Sequence, residues 1–548
     1  MIVSRVFTIL AVLLGCGMLL TGCSDHAPPS VSTGNLAQID TMTLESRSIA
    51  PAVSIDQATT QATSQSTTQS LAPATRPDSA AAVQLTLEEV RSAALANNLD
   101  LKVELVNPAI AQQFVDAERA KFEATFDGSG AFARADSDGP KTDLQTYSAG
   151  ITVPLRTGGT VTVNAPLTRS ENGSADYGSA VNFSISQPLL RNAGFQANEY
   201  SIRIAEYQKS IVDVQTKLQA IRILANADRA YWALYSARGA LEVNQRVYEL
   251  ALKQVDQAQK RFAADASPRI EITRAESGAA ARLEGILLAQ TVLQRRERDL
   301  KRILNRPDLP MDSTTEIIPL TQPNPVGLTL SAAALAQHAL ANRMEMLELE
   351  LRLAADAETI DFERNQELPL FTLDYNYSLF RTSRNFGNAI DLTGNDDSAA
   401  WSVQLRGQIP IGNAAAKARV HRAILERLQR LGTRDQRRLS ITQEVYDAID
   451  QLNQDWQRIL AARNESILAG RTYEAEQRQF ELGVRTSTDV LDASVRLAAA
   501  QLREVEAITD YEISRIDIAF ATGTLLGQGH VLLPNLNANS RSTSDSAN

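Results

Sequence analysis

Leu85-Thr86-Leu87, followed shortly by Ala94-Leu95-Ala96-Asn97, returns about 245 residues later as Leu328-Thr329-Leu330 and Ala339-Leu340-Ala341-Asn342. Each copy leads into the same order of parts: a short amphipathic helix, alternating strands, a very long helix, a turn and a second long helix. A solenoid repeats every few tens of residues, so a period this long marks a duplicated half-protein. The expectation is two pseudo-symmetric halves, residues 83–310 and 328–527, joined by a linker at 311–327.

The ends of the chain read differently. Arg5 precedes an apolar stretch, Val6 to Leu20, that is too short to span a bilayer and ends in Leu20-Thr21-Gly22-Cys23. Residues 1–22 are therefore expected to be a signal peptide. The four residues closing it resemble a bacterial lipobox, which implies cleavage before Cys23 and acylation of that residue (palmitate among the chains), with Ser24 next in line. Cys16 leaves with the peptide, so the mature chain has no internal disulfide to form. Residues 23–82 are dominated by Ser, Thr, Gln, Ala and Pro and read as a disordered tether, and residues 528–548 as a loose polar tail. A net charge of −10 argues against a nucleic-acid partner.

The strand segments alternate more cleanly than a globular edge requires. Phe371, Leu373, Tyr375, Tyr377 and Leu379 are interleaved with Thr372, Asp374, Asn376 and Ser378; Trp401, Val403, Leu405 and Ile409 with Ser402, Gln404, Arg406 and Gln408. In the first half Val181, Phe183 and Ile185 alternate with Asn182, Ser184 and Ser186, after a weaker strand carrying Phe122, Phe126 and Phe132. One face is apolar and aromatic, the other wholly polar, as in a transmembrane barrel with lipid outside and water inside. Four strands cannot close a barrel, since about eight are needed, so the chain is expected to oligomerise. Gln145 to Leu155 and Thr160 to Thr168 also alternate around a tight Arg156-Thr157-Gly158-Gly159 connection, which signals an extra hairpin in the first half.

The helical segments far exceed the usual 11 or 12 residues. From Glu199 to Ala264 there is no proline, and Leu234, Leu241, Tyr248, Val255 and Phe262 recur every seven residues with Ala230, Ala237, Ala251 and Ala258 between them. Val445, Leu452, Ile459, Tyr473 and Phe480, with Ala448, Ala462 and Ala469, repeat the arrangement. Spacings of seven and four make coiled-coil seams, and small alanines let helices approach closely. Glu199 to Ala264 spans roughly 100 Å, against about 55 Å for Pro268 to Leu304, and the segment Leu99 to Lys121 adds the missing ~35 Å. Ala414 to Leu482, Thr486 to Leu526 and Met344 to Gln366 repeat the sum. Each half is therefore expected to hold one long helix beside one composite helix.

From Leu85 to Leu526 the chain resembles the TolC family of outer-membrane efflux proteins. The most specific stretch runs Phe480-Glu481-Leu482-Gly483-Val484-Arg485-Thr486-Ser487-Thr488-Asp489-Val490-Leu491-Asp492-Ala493, and Gln187-Pro188-Leu189 and Ile409-Pro410-Ile411 resemble the family's strand-to-helix junctions. The resemblance implies a mostly helical fold with a membrane β-barrel: a homotrimer whose strands close one shared barrel in the outer-membrane lipid and whose helices form a periplasmic tunnel. It implies export of small molecules or polypeptides, in a tripartite efflux or type I secretion system, through docking to a periplasmic adaptor (membrane fusion) protein and an inner-membrane pump. The location implied is the outer membrane, lipid-anchored, with a large periplasmic portion.

Carried over residue by residue, Asp489 and Asp492 match positions that line the family's periplasmic entrance, where three copies make carboxylate rings that favour cations. Asp489 is also placed to cap a helix beginning after Thr486. Arg485 and Glu271 match the two sides of a tip latch, while Phe480 and Ile270 stand where a tyrosine and a threonine are expected. Gly483 and Thr486 match an adaptor-contact turn; the equivalent of Gly483 in the first half is Asp265, followed by Pro268. An enzyme is the rival class. His26, His338, His421 and His530 lack ligand spacing, and no phosphate-binding glycine loop or nucleophile elbow occurs, so no cofactor or metal is expected. A second rival, a non-porous structural coiled-coil lipoprotein, explains the heptads and the lipobox but not strands whose polar faces need water.

Overall fold

A computed structural model describes residues 82–135, 142–171, 175–265, 267–390 and 398–528. Cys23 and the segments read as leader, tether and most of the polar tail lie outside these. The elements in order are β1 (Ala82–Leu85), α1 (Leu87–Asn97), α2 (Leu99–Glu104), α3 (Asn107–Ala120), β2 (Thr125–Ala135), β3 (Thr142–Pro154), β4 (Thr160–Glu171), β5 (Ala175–Pro188), α4 (Phe195–Asn198), α5 (Tyr200–Ala263), α6 (Ile270–Leu304), β6 (Glu316–Pro319), α7 (Ala332–Asn342), α8 (Met344–Glu367), β7 (Leu370–Ser383), α9 (Phe386–Ile390), β8 (Ser398–Gln408), α10 (Ala414–Glu481), α11 (Ser487–Thr522) and α12 (Leu525–Gln528). They fall into two compact units.

The unit drawn from residues 108–212 and 349–434 is built on one antiparallel sheet in the order β2-β3-β4-β5-β7-β8. The hairpin signalled by Arg156-Thr157-Gly158-Gly159 is β3 and β4, inserted between β2 and β5 rather than appended at an edge. A straight row of paired residues crosses all six strands: Phe126, Ile151, Val163, Phe183, Tyr377 and Trp401. The next row is Thr125, Thr152, Thr162, Ser184, Asn376 and Ser402. Because side chains alternate with period two, these rows lie on opposite faces, one apolar and one polar across the full width of the sheet. Phe126 is 73% and Trp401 71% exposed, so none of the described residues covers the apolar face at its edges. The hairpin turn is tied to the strand-to-helix junction: Arg156 pairs with Glu199 at 3.1 Å, and the Thr157 hydroxyl donates to Gln187 at 2.9 Å.

The unit drawn from residues 82–107, 213–348 and 435–528 holds two large apolar cores, the first built mainly from the first half with Ile516, Ala519 and Leu525 from the second, the other wholly from the second half. The first gathers Val90, Leu224, Tyr231, Leu234, Leu300, Leu304 and Ile317; the second Ala339, Ile441, Val445, Leu452 and Tyr511. Strands β1 and β6 pair in parallel, so the stretch 311–327, expected to be a plain linker, contains a strand. Its four residues are too few for an alternation signal, and Ile317 is fully buried in the first core beside Ala82–Leu85. Tyr231 bridges this pair, donating to the Leu85 carbonyl and accepting from the Thr321 amide at 2.8 Å. Arg91 holds the fully buried Asp228 carboxylate with two guanidinium nitrogens.

The composite-helix expectation meets a local test at two junctions. Asn98, the N-cap of α2, donates its amide to the Ile303 carbonyl near the end of α6, and Asn305, the left-handed C-cap of α6, donates to the Asn97 carbonyl. In the second half Gly523, the left-handed C-cap of α11, lies against Arg343, which precedes α8. Two helices are shorter than expected. Leu99 to Lys121 is broken at Leu105 and Val106, because Pro108 has no N–H for the carbonyl four residues back. The helix expected to reach Leu526 stops at Thr522, where Gly523 takes φ 74°. No helix among the described residues is long and apolar enough to cross a membrane, a statement that does not bear on the sheet.

Candidate functional site at the helical tip

Short connections after Ala263 and after Glu481 lead from the long helices α5 and α10 to α6 and α11. In the second, the Gly483 N–H donates to the Phe480 carbonyl at 3.0 Å with Gly483 at φ 76°. In the first, Asp265 adopts φ 52°, so the duplicated turn keeps the left-handed position without the glycine. Aspartate tolerates that conformation better than most side chains.

Thr486 caps α11. Its hydroxyl oxygen accepts from the Asp489 amide at 3.4 Å, and Asp489 Oδ2 accepts from the Thr486 N–H at 3.0 Å, a reciprocal capping box. The backbone bond from Thr486, followed by that from its hydroxyl, holds the Asp489 carboxyl below the usual range, so the charge stays on Asp489 while it caps. Asp492 is exposed one turn further on. Asp489 is thus committed to the helix start with one oxygen, and both carboxylates lie on the first two turns of α11.

Arg485 and Glu271 do not pair with each other. Arg485 bonds Glu476 at 3.2 Å and Gln479 at 3.1 Å, both on its own helical hairpin. Glu271 accepts from the Ser487 hydroxyl and from its amide at 3.4 Å, and pairs with Arg274 at 2.7 Å. The Ser487 hydroxyl is the first cause holding the Glu271 carboxyl below its usual value. The cross-hairpin cation is instead Arg261, in the last turn of α5. It donates to the Phe480 carbonyl and, at 2.8 Å, to that of Glu481, with its guanidinium 4.1 Å from the Phe480 ring centroid.

The physical reason is local. The last carbonyls of α10 lack intrahelical donors and carry the negative end of the helix dipole, and Arg261 supplies donors and charge together. Phe480, 4% exposed, offers a ring face where a hydroxyl was expected. The tip is therefore tied twice, by Arg261 with Phe480 and Glu481 and by Glu271 with Ser487. The sequence marks Arg261 only as one of two cations ending α5, and Ser487 only as a hydroxyl beside a cap. Among the described residues no cluster of acidic, histidine or cysteine side chains could hold a metal ion.

The family model for outer membrane efflux proteins matches residues 335–524. The outer membrane protein TolC of Escherichia coli (strain K12) is 22% identical over 67% of this chain and 74% of its own length. Among solved structures, the CusC channel superposes with a TM-score of 0.62 at 16% identity, covering 80% of this chain and 92% of that one. The CmeC outer membrane channel of Campylobacter jejuni gives 0.59 at 17%, covering 80% and 86%. CusC forms a transmembrane channel and CmeC an outer membrane channel, and the sheet with one apolar face and the long helices fit that fold. Residues 335–524 thus match the outer membrane efflux protein family, and the chain has the TolC-like fold of these channels.

Proposed function

We propose that three copies of this chain form one tunnel that carries substrates across the periplasm and outer membrane as the exit duct of a tripartite efflux or type I secretion system. In this reading the mature protein is anchored at an acylated Cys23, residues 23–82 serve as its tether, and an inner-membrane pump feeds the tunnel through a periplasmic adaptor seated on turns such as Gly483–Thr486. The observation that carries the reading is the sheet: six strands, apolar on one face and polar on the other, with both edge strands unpaired among the described residues. A wall of this kind is satisfied when lipid covers one face, water the other, and further copies the edges.

Asp489 and Asp492 become two carboxylate rings at the periplasmic entrance, with the ties at Arg261 and Glu271 holding each tip closed. Planar-bilayer conductance of the purified mature protein tests this. Small, cation-selective currents are expected, with selectivity falling when Asp489 and Asp492 are replaced by asparagine. Currents whose ion preference is unchanged in that variant remove the acidic entrance, and a verified assembly without current before and after Arg261→Ala removes the tunnel.

A further inference from the structure

We infer that the pore wall has eighteen strands, with β8 of one chain laid full length on β2 of the next in the register Thr125 to Gln408 and Ala135 to Ser398. The inference rests on the trimer proposed above and deepens it. A hairpin at the edge of a sheet could fold away from a barrel, but β3 and β4 sit in the middle. Removing them breaks the eleven-pair stretch from Thr125 outward on one side and the β4–β5 ladder from Thr160–Ser186 to Glu171–Ala175 on the other. They also carry the same alternation as their neighbours, Ile151 and Val163 completing the apolar row and Thr152 and Thr162 the polar one. The hairpin is built as wall.

Closure follows from the edges. Strands β2 and β8 are each 11 residues long. An even number of antiparallel strands leaves them running in opposite directions, so β8 of one copy meets β2 of the next as an antiparallel pair. Full overlap sets Trp401 opposite Phe132, and Phe132 lies six residues along β2 from Phe126, which begins the row ending at Trp401. Each chain thus advances the row by six residues, and three chains by eighteen. With about 3.3 Å per residue and about 4.8 Å between strands, that stagger around eighteen strands corresponds to a tilt of about 35°, at the edge of the range membrane barrels adopt. Complete pairing of both edges alone sets this register, and it closes a barrel at the low end of the usual tilt.

The same register keeps the faces consistent. Phe132 and Trp401, 62% and 71% exposed in the single chain, form an aromatic cross-strand pair on the apolar face. On the polar face Arg406 comes opposite Asp127, which has no ion pair among the described residues, and Gln404 opposite Ser129. Eighteen strands at this tilt enclose a backbone cylinder about 34 Å across, against about 22 Å if β3 and β4 were left out and twelve strands closed the wall.

Cysteines placed by the register test the interface on the full mature chain. Directly opposed positions bring Cβ atoms to about 4.5–5.5 Å, within disulfide reach. Ser129→Cys with Gln404→Cys is expected to give an oxidation-dependent covalent ladder to the trimer, and Ser129→Cys with Ala400→Cys, four residues away, is expected not to; each single variant controls for Cys23. Native mass of the same preparation and strand counting by electron cryo-microscopy separate the two readings. A trimer with eighteen wall strands and the first cross-link upholds the inference. A trimer with twelve wall strands, or one cross-linked through Ala400 instead, overturns it and leaves the tunnel standing. A mass other than three chains overturns both.

Discussion

Arg261 shows how one side chain can hold a tip. It satisfies two carbonyls at the end of α10 and covers the Phe480 ring, whereas Arg485 makes exposed contacts within its own hairpin. Charged hydrogen bonds contribute about 1.5–3 kcal/mol and a partly desolvated cation–π contact up to about 2 kcal/mol, while exposed ion pairs contribute about 0–1 kcal/mol. Arg261→Ala is therefore expected to raise the open probability of the closed channel by about tenfold or more in bilayer recordings, and Arg485→Ala by about fivefold at most. Equal effects would remove Arg261 from the latch. The second tie is acid-sensitive. Glu271 has a folded pKa below its ordinary 4.5, so its contribution is complete above pH 4.5 and is lost as pH falls through the lower folded value. Conductance in the closed state is expected to climb on acidification in that window and to lose part of this climb in Glu271→Gln, where recordings at stepped pH check it. Glu271 was legible as a tip residue; its partner was not, because the choice among Arg485, Ser487 and Arg274 depends on rotations of two helix ends that leave no trace in spacing.

At the scale of elements, the junctions between stacked helices depend on caps. Asn98 and Asn305 serve one junction with side-chain amides, and Gly523 the other with a left-handed backbone. Gly523 donates its N–H to Phe520 and Thr524 donates to Ala519 at 2.9 Å, closing the last turn of α11. An added Cβ meets only ordinary contacts at 3.5 Å, so the cost of Gly523→Ala is conformational, about 1–2 kcal/mol. Hydrogen exchange at those two amides is expected to accelerate about tenfold, and unchanged protection would mean that the junction does not depend on the left-handed cap. The long helices and all six strands could be read from periodicity, since seven-residue and two-residue repeats survive without tertiary context. Strands β1 and β6 could not, because four residues carry no period and Leu85 and Ile317 are buried in a core assembled from distant helices, α1, α5, α6 and α11 among them.

Over the whole molecule, the described residues leave apolar surface uncovered: Phe126, Phe132 and Trp401 on the sheet, and on α10 residues such as Leu439, 74% exposed. Of the seam residues read from the heptads, Leu234, Ala237, Ala251, Ala258, Val445, Leu452 and Ile459 are buried within the chain, while Phe262 is 42% exposed. A heptad identifies a seam without stating whether its partner helix is in the same chain. The sequence by itself determined the long helices and the two-faced strands, because each is a periodic pattern imposed by local geometry, while the resemblance to outer-membrane efflux proteins rests on motifs such as Phe480 to Ala493. Only the tertiary structure decided that the extra hairpin enters the middle of the sheet, that the linker contributes a strand, and that Arg261 rather than Arg485 crosses the tip. Those outcomes turn on which distant segments come within bonding distance, and no local period encodes that choice.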